Sequence, residues 1–172
     1  METWLISDTH FGHKNILSFE KKDGTKLRPY FNDIHHMDDT LISNWNAVVK
    51  PDDKVYHLGD VGFKNFSEVK RIFDQLNGRK ILLKGNHDNF KLSQYAQIFA
   101  DVRAYHLLDK ILLAHIPVHP DSLDRWQGQI HGHTHNNSLP DPRYFNVSVE
   151  VIDYTPINFN EVRKYYSEKN IA

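Results

Sequence analysis

The chain has 172 residues, 40% of them hydrophobic and 25% charged, which suits one globular domain with a sizeable core and excludes a disordered or fibrous chain. Its net charge of −1 comes from 21 Lys and Arg interspersed with 22 Asp and Glu, so no broad basic stripe is offered to a nucleic-acid backbone. The absence of cysteine excludes disulfides, thiolate-bound zinc and a thiol nucleophile.

The N-terminal stretch METWLISDTH has no basic leader, and no apolar run approaches the roughly 20 residues a spanning helix needs, so a cytoplasmic protein without membrane contact is expected. Within it, TWLIS at 3–7 reads as a short buried strand that stops at Asp8 and His10. A long loop over 19–33 follows. In DIHHMDDTLISNWNAVVK the apolar residues Ile34, Met37, Leu41, Trp45 and Val48 recur at helical spacing, with Asp33 as N-cap and Pro51 just past the end. KVYHL at 54–58 is a second strand, closed by Gly59 and Asp60. The stripe Val69, Ile72, Phe73 and Leu76 predicts a helix capped by Ser67 and followed by Gly78.

KILLK at 80–84 is a third strand, ending in Gly85, Asn86 and His87, and a helix is predicted from Leu92 to Phe99. VRAYHLLDKILLAH then reads as two strands about a tight turn at Asp109-Lys110, the second ending at His115. GQIHGHTH at 128–135 is a weaker strand that again ends in histidines. YFNVSVEVIDY at 144–154 alternates like a half-buried strand, and a last helix is predicted over 160–167. Strands alternating with helices in the first hundred residues predict βαβ units; the remainder is β-rich. No linker divides the chain, so one domain over 1–172 is expected.

Five short apolar runs thus stop at residues of one kind. In open α/β sheets, sites form beyond the carboxyl ends of the strands. If the runs are neighbours, Asp8, His10, Asp60, Asn86, His87, His115, His133 and His135 converge: two carboxylates, one amide oxygen and five imidazoles. Such a mixture suits borderline divalent metals, and there are too many groups for one tetrahedral ion. Two ions about 3.5–4 Å apart sharing a carboxylate use the whole set and leave a positive centre for a phosphoester.

The ordered series DTH (Asp8, His10), GD (Gly59, Asp60), GNHD (Gly85 to Asp88), AH (His115) and GHTH (Gly132 to His135) resembles the calcineurin-like metallophosphoesterases, in particular their small bacterial and phage members without extra domains. The resemblance spans residues 1 to about 155. It implies a four-layer α/β/β/α sandwich of two mixed sheets flanked by helices. It also implies two divalent ions, with Mn²⁺ expected and Fe, Zn or Ni compatible. On this resemblance Asp8, His10, Asp60 and His135 hold the first ion, and Asn86, His115, His133 and the shared Asp60 the second. His87 then faces substrate as general acid, and Asp88 supports it by holding nearby backbone or orienting an imidazole.

The implied reaction is hydrolysis of a phosphomonoester or diester, with a small phosphoester or nucleotide-derived substrate as partner. The alternatives are a nuclease on short or single-stranded nucleic acid and a non-catalytic scaffold of the same fold. Against the family pattern GDxxDRG of the protein phosphatases, this chain reads GDVGFKN, with Phe63 where a carboxylate is expected. Protein phosphatase activity is therefore not expected. His13, Lys14 and Arg28 are the substrate-binding candidates, since they sit in loops adjoining the motif. His57, His106 and His131 read as packed histidines, and Phe63, Phe66 and Phe73 as core.

Overall fold

A computed structural model describes residues 1–169. The first sheet has the order β4-β3-β2-β1-β9, in which β1 (Thr3–Ile6), β2 (Lys54–His57), β3 (Arg79–Leu83) and β4 (Asp101–Arg103) run parallel and β9 (Ile157–Asn158) closes the edge antiparallel. The second sheet has the order β5-β6-β7-β8: β5 (Tyr105–Leu108) and β6 (Ile111–Ala114) form a hairpin, and β7 (Gly128–His131) and β8 (Tyr144–Asn146) extend it in parallel. The hairpin turns at Asp109 and Lys110, both at positive φ (47° and 66°), the backbone that a two-residue connection between twisted strands requires.

The expected fold class, an α/β protein of two mixed sheets with flanking helices, is the one observed. Helices α1 (Ile34–Val48), α2 (Phe66–Phe73) and the short α3 (Leu92–Tyr95) cover one face of the first sheet, where Ile6, Val55 and Leu82 meet Met37, Leu41, Trp45, Val69, Phe73 and Tyr95. Between the sheets Leu5, Tyr56, Ile81 and Leu83 pack against Ile111, Leu113 and Ile130, with Phe159, Val162 and Tyr166 of α4 (Phe159–Glu168) in the same layer. The outer face of the second sheet has a thinner cover, a 3-10 turn at Pro120–Leu123 with Val118 and Trp126 over Leu112 and Tyr144.

Three local expectations change. The N-cap of α2 is Asn65, whose side chain accepts from Glu68 N, and Ser67 lies inside the helix. The predicted third helix keeps only one turn. The alternating stretch 144–154 leaves the sheet after Asn146, because Ser148 crosses to bridge with Ser7 at the end of β1, and the chain then turns through Asp153 and Tyr154 at positive φ. That crossing ties the two sheets together through Ser7 N to Val147 O (2.9 Å) and Val149 N to Ser7 O (3.1 Å).

Register places the site. Ile6, His57 and Leu82 lie side by side at the ends of β1, β2 and β3, and Leu113, Ile130 and Phe145 form the matching row in the second sheet. The residues that follow each strand therefore emerge at one common end of the molecule.

Candidate metal centre

The loops that leave those strand ends turn sharply. Asp8, His10, Asp60, His133 and His135 all have φ between 49° and 67°, five of the nine non-glycine residues at positive φ among the described residues. Each such residue stores backbone strain of about 1–3 kcal/mol, so strain is concentrated where the candidate ligands lie. The motif glycines make room for it. A Cβ on Gly59 (φ 95°) would lie 2.5 Å from Gly85 N, one on Gly85 2.3 Å from Asp60 Oδ1, and one on Gly132 2.0 Å from Ser7 Oγ.

Seven predicted ligands meet in the resulting cleft. His10 Nε2 lies 3.8 Å from both Asp8 Oδ1 and Asp60 Oδ2, and His115 Nε2 lies 3.4 Å from Asp60 Oδ2. Asn86 Oδ1 is 2.9 Å from both His115 Nε2 and His133 Nδ1. Two groups, Asp8 with His10 and His135, and Asp8 with Asp60 and His115, each present ligand atoms within 4.8 Å of one another. These buried Asp/His clusters could hold metal ions.

The donor set fits a cation on physical grounds. Asp8 Oδ1 and His10 Nε2 are buried with no hydrogen-bond partner, a condition that costs several kcal/mol unless something positive sits between them. His115 Nδ1 donates to Leu58 O (2.7 Å), so in the neutral ring Nε2 turns its lone pair toward Asn86 Oδ1 and Asp60 Oδ2. Acceptors so arranged need a shared proton or a metal ion.

Electrostatics point the same way. Burial alone raises the Asp8 carboxyl, but His10, His115 and His135 outweigh it and hold it far below the usual range. Burial lowers His115 and His135, yet Asp60 and Asp8 around the first and Glu150 beside the second raise both above the ordinary imidazole value. The carboxylates thus demand cations, and protons on these rings are the substitute that a metal displaces.

Asp88 takes the first of the two roles expected of it, holding nearby backbone. Its buried carboxylate accepts from Asp60 N (2.9 Å), Val61 N (3.0 Å) and Gly85 N (2.7 Å), clamping the GD and GNHD loops to each other. Its hydrogen bonds run to backbone N–H groups rather than to an imidazole. His87 is exposed on the rim with its N–H donating to Asp60 Oδ1 (2.9 Å), and its ring stands 6.2 Å from that of His10.

Arg28 corrects an expectation. It is 1% exposed, and its guanidinium donates to Asp8 O (2.6 Å), Thr9 O (3.1 Å) and Glu150 Oε1 (2.7 and 2.8 Å), so no hydrogen-bonding face is left for substrate. Lys14 is exposed in a 3-10 turn at Lys14–Ser18. His13 is half-buried, with Nδ1 3.1 Å from His10 Nδ1 and its ring stacked 3.8 Å from Phe63. Phe63, expected in the core, is 40% exposed; it also stacks on His10 and lies tilted against His87. His57 and His131 are buried, as expected of packed histidines, whereas His106 is only half-buried against Tyr56. A groove of about 630 Å³ adjoins the centre, with His133 and His135 facing Phe19 and Leu27.

Glu150 is the functional residue that sequence reasoning missed. Its Oε1 accepts from His135 Nδ1 at 2.9 Å. The available signal was the polar face Asn146, Ser148, Glu150 of an otherwise apolar alternating run directly after GHTH.

The chain is 36% identical to the uncharacterized protein MJ1445 of Methanocaldococcus jannaschii, over 98% of this chain and 93% of that protein. The crystal structure of a protein of unknown function from Aquifex aeolicus, AQ665, matches with a TM-score of 0.72 and 30% identity over 95% of this chain and 98% of that one. A structure described as a novel archaeal phosphodiesterase aligns at a TM-score of 0.46 and 20% identity over 86% of this chain and 82% of that one. No family model matches. The two mixed sheets and the Asp/His clusters at their strand ends are the arrangement expected from the ordered DTH, GD, GNHD and GHTH series. The chain belongs to one family with the M. jannaschii protein.

Proposed function

We propose that this protein is a dinuclear metal-dependent phosphoesterase acting on a small phosphomonoester or phosphodiester. The observation that carries the reading is the convergence of Asp8 Oδ1, His10 Nε2, Asp60 Oδ2, Asn86 Oδ1 and His115 Nε2 without enough protons to satisfy them, beside an exposed His87 that the cluster does not use. Asp8, His10, Asp60 and His135 would hold one ion, and Asp60, Asn86, His115 and His133 the other, with Mn²⁺ the metal that this mixed oxygen and nitrogen set suits. Bound there, the ions supply Lewis-acid polarisation of the phosphoryl group and activation of water near neutral pH.

The chain's own groups complete the reaction. Asp60, anchored through Oδ1 by His87 N, keeps Oδ2 turned to both sets of ligands. That same hydrogen bond fixes the backbone of His87, so its imidazole stands over the cleft in position to protonate the departing oxygen. Phe63 packs against the His87 ring and restricts its orientation.

Hydrolysis of bis-p-nitrophenyl phosphate and p-nitrophenyl phosphate by chelator-stripped protein, with and without Mn²⁺, tests the reading. Turnover restored by metal is expected, and the ratio of the two rates separates diester from monoester preference. No turnover of either with two ions bound per chain would contradict it.

A further inference from the structure

We infer that Glu150 is a positioning residue for one of the two proposed metal sites, and that Arg28 is the clamp that holds it in place. The inference rests on the metallophosphoesterase reading only for the identity of what His135 faces.

Three donors converge on one oxygen. Glu150 Oε1 accepts from His135 Nδ1 (2.9 Å), Arg28 Nε (2.8 Å) and Arg28 Nη2 (2.7 Å), while Oε2 is buried without a hydrogen-bond partner. A guanidinium and a carboxylate paired only for stability would meet fork to fork and satisfy both oxygens. Here the geometry is centred on the atom that touches His135. The Glu150 and Arg28 side chains are almost wholly buried, at 2% and 0% exposure, and an ion pair in that position contributes little net stability. Its placement beside His135, a proposed metal ligand, indicates work done on that histidine.

The work is selection of a tautomer. An imidazole that donates from Nδ1 to a carboxylate carries its lone pair on Nε2, the nitrogen then free to face Asp8 and His10. Arg28 adds a second constraint. The same guanidinium grips the carbonyl oxygens of Asp8 and Thr9, so the loop that presents Asp8 and the ring that presents His135 are held by a single rigid plane. Arg28 also ends the segment whose Phe19 and Leu27 wall the neighbouring groove, which fixes that wall relative to the centre.

The test is made on the full chain, stripped of metal and then titrated with Mn²⁺ alone. In metal-free wild type, at a pH high enough to leave the His135 ring neutral, nitrogen-15 chemical shifts of His135 should report the Nδ1–H tautomer, and Glu150→Ala should lose that preference. In the titration Glu150→Ala and Glu150→Gln should weaken one binding event ~10–100-fold and leave the other unchanged, with Gln the milder because it can still accept from Nδ1–H. Glu150→Asp should recover part of the loss. A residue that merely stabilises the fold would shift both events together with the melting temperature. If Glu150→Ala does not fold, Glu150→Gln carries both measurements. Unchanged tautomer and unchanged affinities in the folded variants overturn the inference. Wild type that binds no Mn²⁺ would refute the phosphoesterase reading instead, and the tautomer measurement would still decide the role of Glu150.

Discussion

The Nδ1 atoms of His10 and His13 lie 3.1 Å apart, so one proton serves both rings. With a metal ion between His10 Nε2 and the carboxylates of Asp8 and Asp60, that proton would sit on His10 Nδ1 and His13 would be the acceptor. Burial, reinforced by the charge of His10, pushes the His13 imidazole down to about 4, so it remains a neutral acceptor at physiological pH. His13→Ala should therefore weaken Mn²⁺ binding about tenfold or more without unfolding the protein, as measured by titration calorimetry beside circular dichroism.

His87 and Asp88 are adjacent in sequence and should part company experimentally. His87→Ala is expected to keep both ions and lose about 10²–10⁴-fold in turnover on esters with poor leaving groups, with far less effect on p-nitrophenyl esters, whose leaving group needs no proton. Asp88→Asn keeps one acceptor oxygen and leaves at least one of the three backbone N–H groups without its partner, which should lower the melting temperature and metal content together. Paired kinetic and metal-content assays distinguish the two.

Phe63 stacks on His10 and His13 and lies tilted against His87 while remaining 40% exposed, so little of the fold depends on it. Phe63→Ala should leave the melting temperature within a degree or two and lower kcat about 2–10-fold, the scale of an aromatic stacking contact. A large loss of stability would show that the ring is part of the core after all.

Gly132→Ala and Gly85→Ala each force a Cβ against the GD or DTH loop, 2.3 Å from Asp8 Oδ2 in the first case and 2.6 Å from Asp60 N in the second. Neither neighbour is a flexible side-chain tip. Both variants are expected to lose metal binding and about 2 kcal/mol or more of stability, checked by denaturant unfolding.

Burial pushes His57 down to about 3, and its ring, with Nδ1 accepting from Gly59 N and Nε2 bonded to Thr9 Oγ1, is neutral in the folded protein. The unfolded chain takes up that proton below the ordinary 6.5, so the contribution is complete above pH 6.5 and is lost as pH falls toward 3. The slope is at most about 1.4 kcal/mol per pH unit. His57→Asn should be less stable at pH 7 but flatter across that window, as read from urea unfolding of metal-free protein.

Much of the fold and centre was legible because buried parallel strands read as continuous apolar runs, and each ended in Gly or in a residue type with few structural uses at that place. What stayed hidden depended on long-range contacts. Arg28 lies in a polar loop, and only the fold brings it beneath Asp8 and beside Glu150, 122 residues later. Glu150 was concealed by the alternation of its neighbours, which mimics a strand that the bridge from Ser148 to Ser7 interrupts. Phe63 shares apparent helical spacing with Phe66 and Phe73, but α2 begins only at Phe66, so that spacing does not extend back to it.

The bond from Ser148 Oγ to Asp8 Oδ2 (3.0 Å) joins positions 140 residues apart. During synthesis at about 5–20 residues per second, the carboxylate of Asp8 leads the hydroxyl that secures it by on the order of ten seconds. Until then the loop that presents Asp8 lacks this brace, and Glu150, just beyond Ser148, has yet to emerge. Completion of the Asp/His clusters is therefore a late event in the life of each molecule.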